Sequence, residues 1–159
     1  MTQLSQMAAS GQTTLMQSTG NPRLDLSFGM MLANMANTFA VRPGFAFYND
    51  GNRPNALALR DSYLPNTQGT VLLGRGMLFE QARRSANGDI PLIVICAHEF
   101  GHIVQYANNC HERLNRGQKT VKRTELHADF LAGYFLGSSN AQFKIVGNSS
   151  SVVRIILPH

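Results

Sequence analysis

The amino-acid sequence predicts an α+β fold, in which a small mixed or antiparallel sheet packs against helices. Apolar residues recur at helical spacing near the N-terminus and again over residues 90–107 and 124–136. Short apolar segments separated by glycine, proline and asparagine lie between the first two helical segments and are typical of strands. The chain has 159 residues, of which 43% are hydrophobic and 14% charged, so it can bury the core of one domain.

The N-terminal region divides into a polar arm at residues 1–22 and the start of a single domain at residues 23–159. The arm is rich in Gln, Ser and Thr and lacks the basic and apolar segments of a signal peptide, so we expect a cytoplasmic protein. Asn21 and Pro22 mark the start of the first helix. One face of this helix is apolar and carries Leu24, Phe28, Met31, Leu32, Met35 and Phe39.

Three short strands are expected after the first helix. Residues 45–48 and 55–60 flank a turn signal of Asn, Asp and Gly at residues 49–51, so we expect these two strands to pair with each other. Residues 70–73 form the third strand. The glycines that follow lead into a short helix at about residues 77–86.

The most apolar helix is predicted at residues 90–107, with Asp89 placed to cap its start. Its longest apolar run, residues 90–97, is too short to span a membrane, so no membrane span is expected. Cys96 and Cys110 would lie about 21 Å apart if the helix continued between them. A disulfide needs Cα atoms within about 7 Å, so both cysteines should be free, which favours a reducing compartment.

Residues 98–102 read His-Glu-Phe-Gly-His, an H-E-x-x-H motif inside the apolar helix. Residues four apart lie one turn above each other, so the imidazoles of His98 and His102 can reach one metal ion. The carboxylate of Glu99 can reach a metal-bound water without binding the metal. A buried helix has little reason to carry such side chains unless they have partners. The motif therefore predicts a zinc site with Glu99 as the catalytic base.

A catalytic zinc site needs a third protein ligand and keeps its fourth position for water. Metzincins place glycine and histidine where this chain has Gln105 and Asn108, so that class is excluded. Glu125 and Asp129 lie four residues apart on the last predicted helix and share one face. Glu125 can therefore reach the metal, while Asp129 can accept a hydrogen bond from the other nitrogen of a liganding histidine. The alternative for this pair is a solvated acidic helix start.

The segments H-E-F-G-H and E-L-H-A-D resemble those of the gluzincin metallopeptidases. More narrowly, they are similar to those of small bacterial neutral zinc metallopeptidases and minimal gluzincins. The resemblance covers about residues 90–136 and implies a zincin-like domain that binds one Zn2+ ion. The ligands that it implies are His98, His102 and Glu125.

The same resemblance implies a zinc-dependent metalloendopeptidase that acts on a peptide or protein substrate. It implies Glu99 as the base and Asp129 as a hydrogen-bond partner of His98. It also implies that the strand at residues 70–73 is a sheet edge beside the cleft, where an extended peptide could add. Thermolysin-like enzymes stabilise the oxyanion with a histidine and a tyrosine. Candidates by residue type are Tyr106, His111, His127 and Tyr134, although His127 should point away from the metal if its helix is regular.

Two other functions fit parts of the sequence. A zinc-binding regulatory or protein-interaction module of the same fold would bind the metal with little or no turnover. A nucleic-acid module would use the basic segment at residues 113–123, in a chain whose net charge is +5. That segment has no interleaved aromatic residues and no recognition helix, so we expect no specific nucleic-acid partner.

Overall fold

The structure of the chain, a computed structural model, describes residues 15–84 and 89–138. Within these ranges helices surround a three-stranded sheet, so the predicted α+β class is confirmed. The elements are, in chain order, α1 (Pro22–Phe39), β1 (Gly44–Tyr48), β2 (Ala56–Leu59), β3 (Thr70–Gly74), α2 (Arg75–Arg84), α3 (Asp89–Ala107), α4 (His111–Asn115) and α5 (Lys122–Gly137). The sequence did not predict α4, which lies in the polar segment between the last two long helices.

The sheet has the strand order β1-β3-β2 and is mixed. β1 runs parallel to β3, with Gly44 opposite Thr70, and β2 runs antiparallel to β3, with Leu59 opposite the same Thr70. The expected pairing of the first two strands is therefore wrong, because β3 lies between them. β2 forms the sheet edge that packs against α3.

The loop between β1 and β2 explains this order, because it crosses the end of β3 instead of closing a hairpin. Asp50 in this loop is only 6% exposed, and its carboxylate accepts hydrogen bonds from the backbone N–H groups of Gly76 and Met77 at 2.8 and 3.0 Å. It also accepts one from the backbone N–H of Asn55 at 3.1 Å. A Cβ atom at Gly74 would lie 1.9 Å from the Asp50 carboxylate, so only glycine fits there. Asp50 thus caps the start of α2 and holds the loop across β3.

The first helix begins and packs as the sequence predicts. The side chain of Asn21 accepts hydrogen bonds from the first backbone N–H groups of α1, and Pro22 occupies the first helical position. The apolar face of α1 contributes Phe28, Met31 and Met35 to the core. The described end of the polar arm also joins the fold, because Met16 forms a β-bridge with Phe47 at the free edge of β1.

The central helix α3 packs along α5, and their closest approach is at Gly101. A Cβ atom at Gly101 would lie 2.9 Å from the Cα atom of Ala128, which is too close for an unstrained contact. Glycine and alanine therefore let the two helix backbones meet closely. Around this point the core is filled by large apolar side chains, including Phe100, Ile103 and Phe135.

Helix α3 is also long and apolar enough, over Ile90–Ala107, to pass a length and composition test for a membrane span. Half of that segment is buried inside the protein, and core helices of soluble proteins pass the same test. The absence of a membrane span and the cytoplasmic location stay predictions. Cys96 and Cys110 are both free, as predicted, although α3 ends at Ala107 and does not continue to Cys110. The side chain of Asp89 lies outside the described part of the structure, so its predicted role as a helix cap stays a prediction.

Candidate metal centre

Two histidines one turn apart on α3 face the same point in space. The Nε2 atoms of His98 and His102 lie 3.2 Å apart, and the two ring planes are nearly perpendicular. His102 is buried, and its side chain is 11% exposed, whereas that of His98 is 20% exposed. Burial lowers the pKa of His102, which favours the neutral imidazole that a metal ion requires.

Glu125, in the first turn of α5, brings a carboxylate to the same point. One carboxylate oxygen lies 3.2 Å from Nε2 of His98, and the other lies 3.4 Å from Nε2 of His102. This carboxylate can reach α3 because the two helices approach closely where Gly101 faces Ala128. The three side chains form a group that could hold a metal ion, with all ligand atoms within 4.8 Å of one another.

Each histidine has a second hydrogen-bond partner on its Nδ1 atom. For His98 this partner is Asp129, as the resemblance implies, and its carboxylate oxygen lies 2.8 Å away. For His102 it is the side-chain oxygen of Gln105, 3.1 Å away. Sequence reasoning used Gln105 only to exclude metzincins and missed this contact. The available signal was an amide side chain three residues after a predicted ligand, inside an apolar helix.

Glu99 lies beside this group and against the edge of the sheet. Desolvation by burial raises the pKa of its carboxyl group to about 7, and the nearby Glu125 acts in the same direction. His98 and a hydrogen bond from the backbone N–H of Ala58, in β2, act in the opposite direction. Glu99 therefore contacts both the cleft and the strand that forms its wall.

The cleft has a volume of about 330 Å³ and is lined by the three predicted ligands and by Glu99. Its wall is β2, with Ala56, Leu57 and Ala58 lining it. The expectation that residues 70–73 form the edge beside the cleft is wrong, because β3 is the central strand. A larger and more open depression of about 510 Å³ lies elsewhere, between the β1–β2 loop and α2. It is lined by arginines and Glu80 and lacks the converging donor atoms of the first cleft.

The structure separates the four candidates for oxyanion stabilisation. Tyr106 and His111 line the cleft, and their ring centroids lie 5.0 Å apart. His127 instead contacts Gln105, and Tyr134 is exposed on α5. His127 thus points away from the ligand group, as expected for a regular helix.

Comparisons of the chain with protein-family models, with curated proteins and with solved structures find no match. The function therefore has to be inferred from the chemistry and geometry of the described residues. These define an α+β domain with a His-His-Glu group, a buried carboxyl group and a sheet edge around one cleft.

Proposed function

We propose that the chain is a zinc-dependent metallopeptidase, with a zincin-like fold and a gluzincin-type site, that hydrolyses peptide bonds. The observation that carries the proposal is the close approach of two imidazoles and one carboxylate. The two Nε2 atoms lie 3.2 Å apart, and the two carboxylate oxygens of Glu125 lie 3.2 Å from Nε2 of His98 and 3.4 Å from Nε2 of His102. Zinc binds such ligands tetrahedrally at about 2.0–2.2 Å, which gives edges of about 3.3–3.6 Å between ligand atoms. With one ligand atom from each of His98, His102 and Glu125, the three atoms lie within 4.8 Å of one another, so these side chains can be brought around one zinc ion.

A zinc ion bound there would supply Lewis-acid chemistry, polarising a carbonyl group and lowering the pKa of a water molecule. Glu99 is positioned to act as the general base, because its carboxylate lies in the cleft next to His98 and is not needed as a ligand. It would take a proton from the attacking water as the oxygen bonds to the peptide carbonyl carbon. As the C–N bond breaks, Glu99 would pass that proton to the leaving amine.

The substrate proposed for this cleft is an extended peptide that adds alongside β2 at the edge of the sheet. The backbone of Ala58 faces the cleft, since its N–H bonds to Glu99 and its carbonyl lies 3.5 Å from the Tyr106 hydroxyl. The small side chains of Ala56 and Ala58 leave room for a main chain alongside. Tyr106 and His111 are the side chains that could donate a hydrogen bond to the carbonyl oxygen of the scissile bond.

A zinc-binding module with little or no turnover is the second candidate, and two contacts of Ala58 favour it. Both backbone groups of Ala58 that face the cleft have neighbours within the chain, namely Glu99 and Tyr106. A peptide would have to displace these contacts before it could pair with β2. A partner that used only the rim of the cleft would leave them in place.

The two candidates are separated by metal analysis together with a cleavage assay. We expect purified protein to bind one zinc ion, and Glu125→Ala to lose it. Glu99→Gln should keep the zinc and lose cleavage of an unstructured protein such as casein by at least about 100-fold, the range for loss of a general base. If the wild type binds zinc but its cleavage equals that of Glu99→Gln, the binding module is favoured. If the wild type and Glu125→Ala bind zinc equally, the metal centre itself is refuted.

A further inference from the structure

Gln105 is the buried polar side chain that lies between the two helices of the site. It is 0% exposed and belongs to α3, three residues after His102. Its amide makes three contacts, and two of them reach α5. The side-chain oxygen lies 3.1 Å from Nδ1 of His102, and the side-chain nitrogen lies 2.8 Å from the carbonyl oxygen of Thr124 and 3.1 Å from Nδ1 of His127.

The carbonyl of Thr124 determines the donor and the acceptor in each of the three hydrogen bonds that Gln105 makes. A backbone carbonyl can only accept, so the NH2 group of Gln105 must face Thr124 and its oxygen must face His102. That oxygen can only accept, so the proton of His102 lies on Nδ1. The Nε2 atom then carries a free lone pair, and it is this atom that faces His98 and Glu125.

We propose that Gln105 is a positioning residue of the metal centre. Gln105 holds the His102 ring in the tautomer that presents Nε2 to a cation. It also connects that ring to the backbone carbonyl of Thr124, the residue before Glu125. The inference rests on the proposed metal centre, to which it adds a residue outside the ligand set. Ligands of metal sites are commonly oriented in this way, and loss of such a partner costs about 10- to 100-fold in metal affinity.

A purely structural role of Gln105 would have a different effect on His102. In that case Gln105 would only donate a hydrogen bond to the carbonyl of buried Thr124, and His102 would keep its tautomer when Gln105 is replaced. Two substitutions separate these roles. Gln105→Met fills the space but removes all three hydrogen bonds, whereas Gln105→Glu keeps an oxygen acceptor for His102 and gives up the NH2 donor to Thr124.

The experiment uses long-range 15N–1H correlation spectra of the metal-free protein, which report the tautomer of each histidine. We expect His102 of the wild type to carry its proton on Nδ1. In Gln105→Met this signature should be lost, and the zinc dissociation constant should rise about 10- to 100-fold. Gln105→Glu should keep the signature and bind zinc more tightly than Gln105→Met. His127→Leu, which removes only the third contact, is the matched control and should leave both readouts unchanged.

The proposal is overturned if wild-type His102 carries its proton on Nε2, a result that needs no variant. It is also overturned if Gln105→Met keeps the wild-type tautomer and zinc affinity, or if Gln105→Glu binds zinc no better than Gln105→Met. A wild type that binds no zinc refutes the proposed metal centre. The spectra then still decide whether Gln105 controls the His102 ring, so the two failures are distinguishable.

Discussion

Because α3 and α5 contact each other closely at Gly101, we expect a larger side chain there to weaken both the fold and zinc binding. Replacing Gly101 with alanine adds one methyl group, which would lie 2.9 Å from the Cα atom of Ala128 and 3.2 Å from its Cβ and carbonyl oxygen. All three atoms are backbone or directly attached to it, so no flexible side chain can move aside. The helices must therefore separate, and Glu125 moves with Ala128 because both belong to α5.

The size of the effect follows from these distances. Carbon atoms pack at about 3.5–4.0 Å, so the contact at 2.9 Å requires a shift of about 0.5–1 Å. Overpacking of this kind costs about 1–3 kcal/mol, partly offset by the higher helix propensity of alanine, which contributes about 1 kcal/mol. Metal–ligand distances tolerate only about 0.2 Å, so the shift exceeds what the Glu125 carboxylate can absorb. We expect zinc affinity to fall at least about 10-fold, or about 1.4 kcal/mol.

Two measurements check this prediction, with a control from the same pair of helices. Urea unfolding of metal-free protein gives the change in stability, and competition with a chromophoric chelator gives the zinc dissociation constant. Gly133→Ala is the matched control, because Gly133 lies in α5 and an added Cβ meets nothing within 4 Å. It should stabilise the protein by about 0.5–1 kcal/mol and leave zinc affinity unchanged. The reasoning fails if Gly101→Ala binds zinc as tightly as Gly133→Ala does.

Three further predictions concern carboxylates. Asp129→Asn should weaken zinc binding about 10-fold in a chelator competition, while metal-free stability changes by less than about 0.5 kcal/mol because Asp129 is exposed; equal affinity would contradict its role beside His98. Asp50→Ala should destabilise the protein by about 3 kcal/mol in urea unfolding, because three backbone N–H groups lose their acceptor, and a loss below about 1 kcal/mol would refute this role. Hydrogen bonds from Ser18 and Thr19 lower the pKa of Asp25 from 3.8. The ionised carboxylate of Asp25 therefore stabilises the fold above about pH 4, and this stabilisation is lost as the pH falls further. The small stability difference between wild type and Asp25→Asn should be constant near pH 7 and shrink as the pH falls below about 4. A difference that grew on acidification would exclude this assignment.

Periodicity and residue chemistry were sufficient to predict the long helices and the pairs of site residues that share one helix face. His98 and His102 are four residues apart on one helix, so their proximity is a local property that the sequence encodes directly. Glu125 and Asp129 follow the same rule on α5. That the two pairs meet depends on tertiary packing, which the resemblance supplied and the spacing did not. Their roles in catalysis stay predictions until zinc binding and cleavage are measured.

The strand order could not be predicted, because pairing between strands is a non-local property. The turn signal at residues 49–51 is real, and Gly51 does adopt a positive φ of 62°. Whether such a turn closes a hairpin depends on Asp50, whose carboxylate accepts hydrogen bonds from backbone N–H groups more than 20 positions later in the chain. The role of Gln105 was missed for a similar reason, since its partners Thr124 and His127 lie on another helix.

The position of β3 between the two earlier strands also has a consequence for folding order. β1 and β2 each pair with Thr70–Gly74 and not with each other, so these two strands cannot form a stable local hairpin before β3 is present. Sheet formation therefore depends on distant contacts, one set of them parallel, which is typical of slow folding steps. A nascent chain that ended before residue 70 would expose two unpaired strands that invite association with other chains. The wall of the cleft that β2 forms is thus completed in the same cooperative step as the sheet.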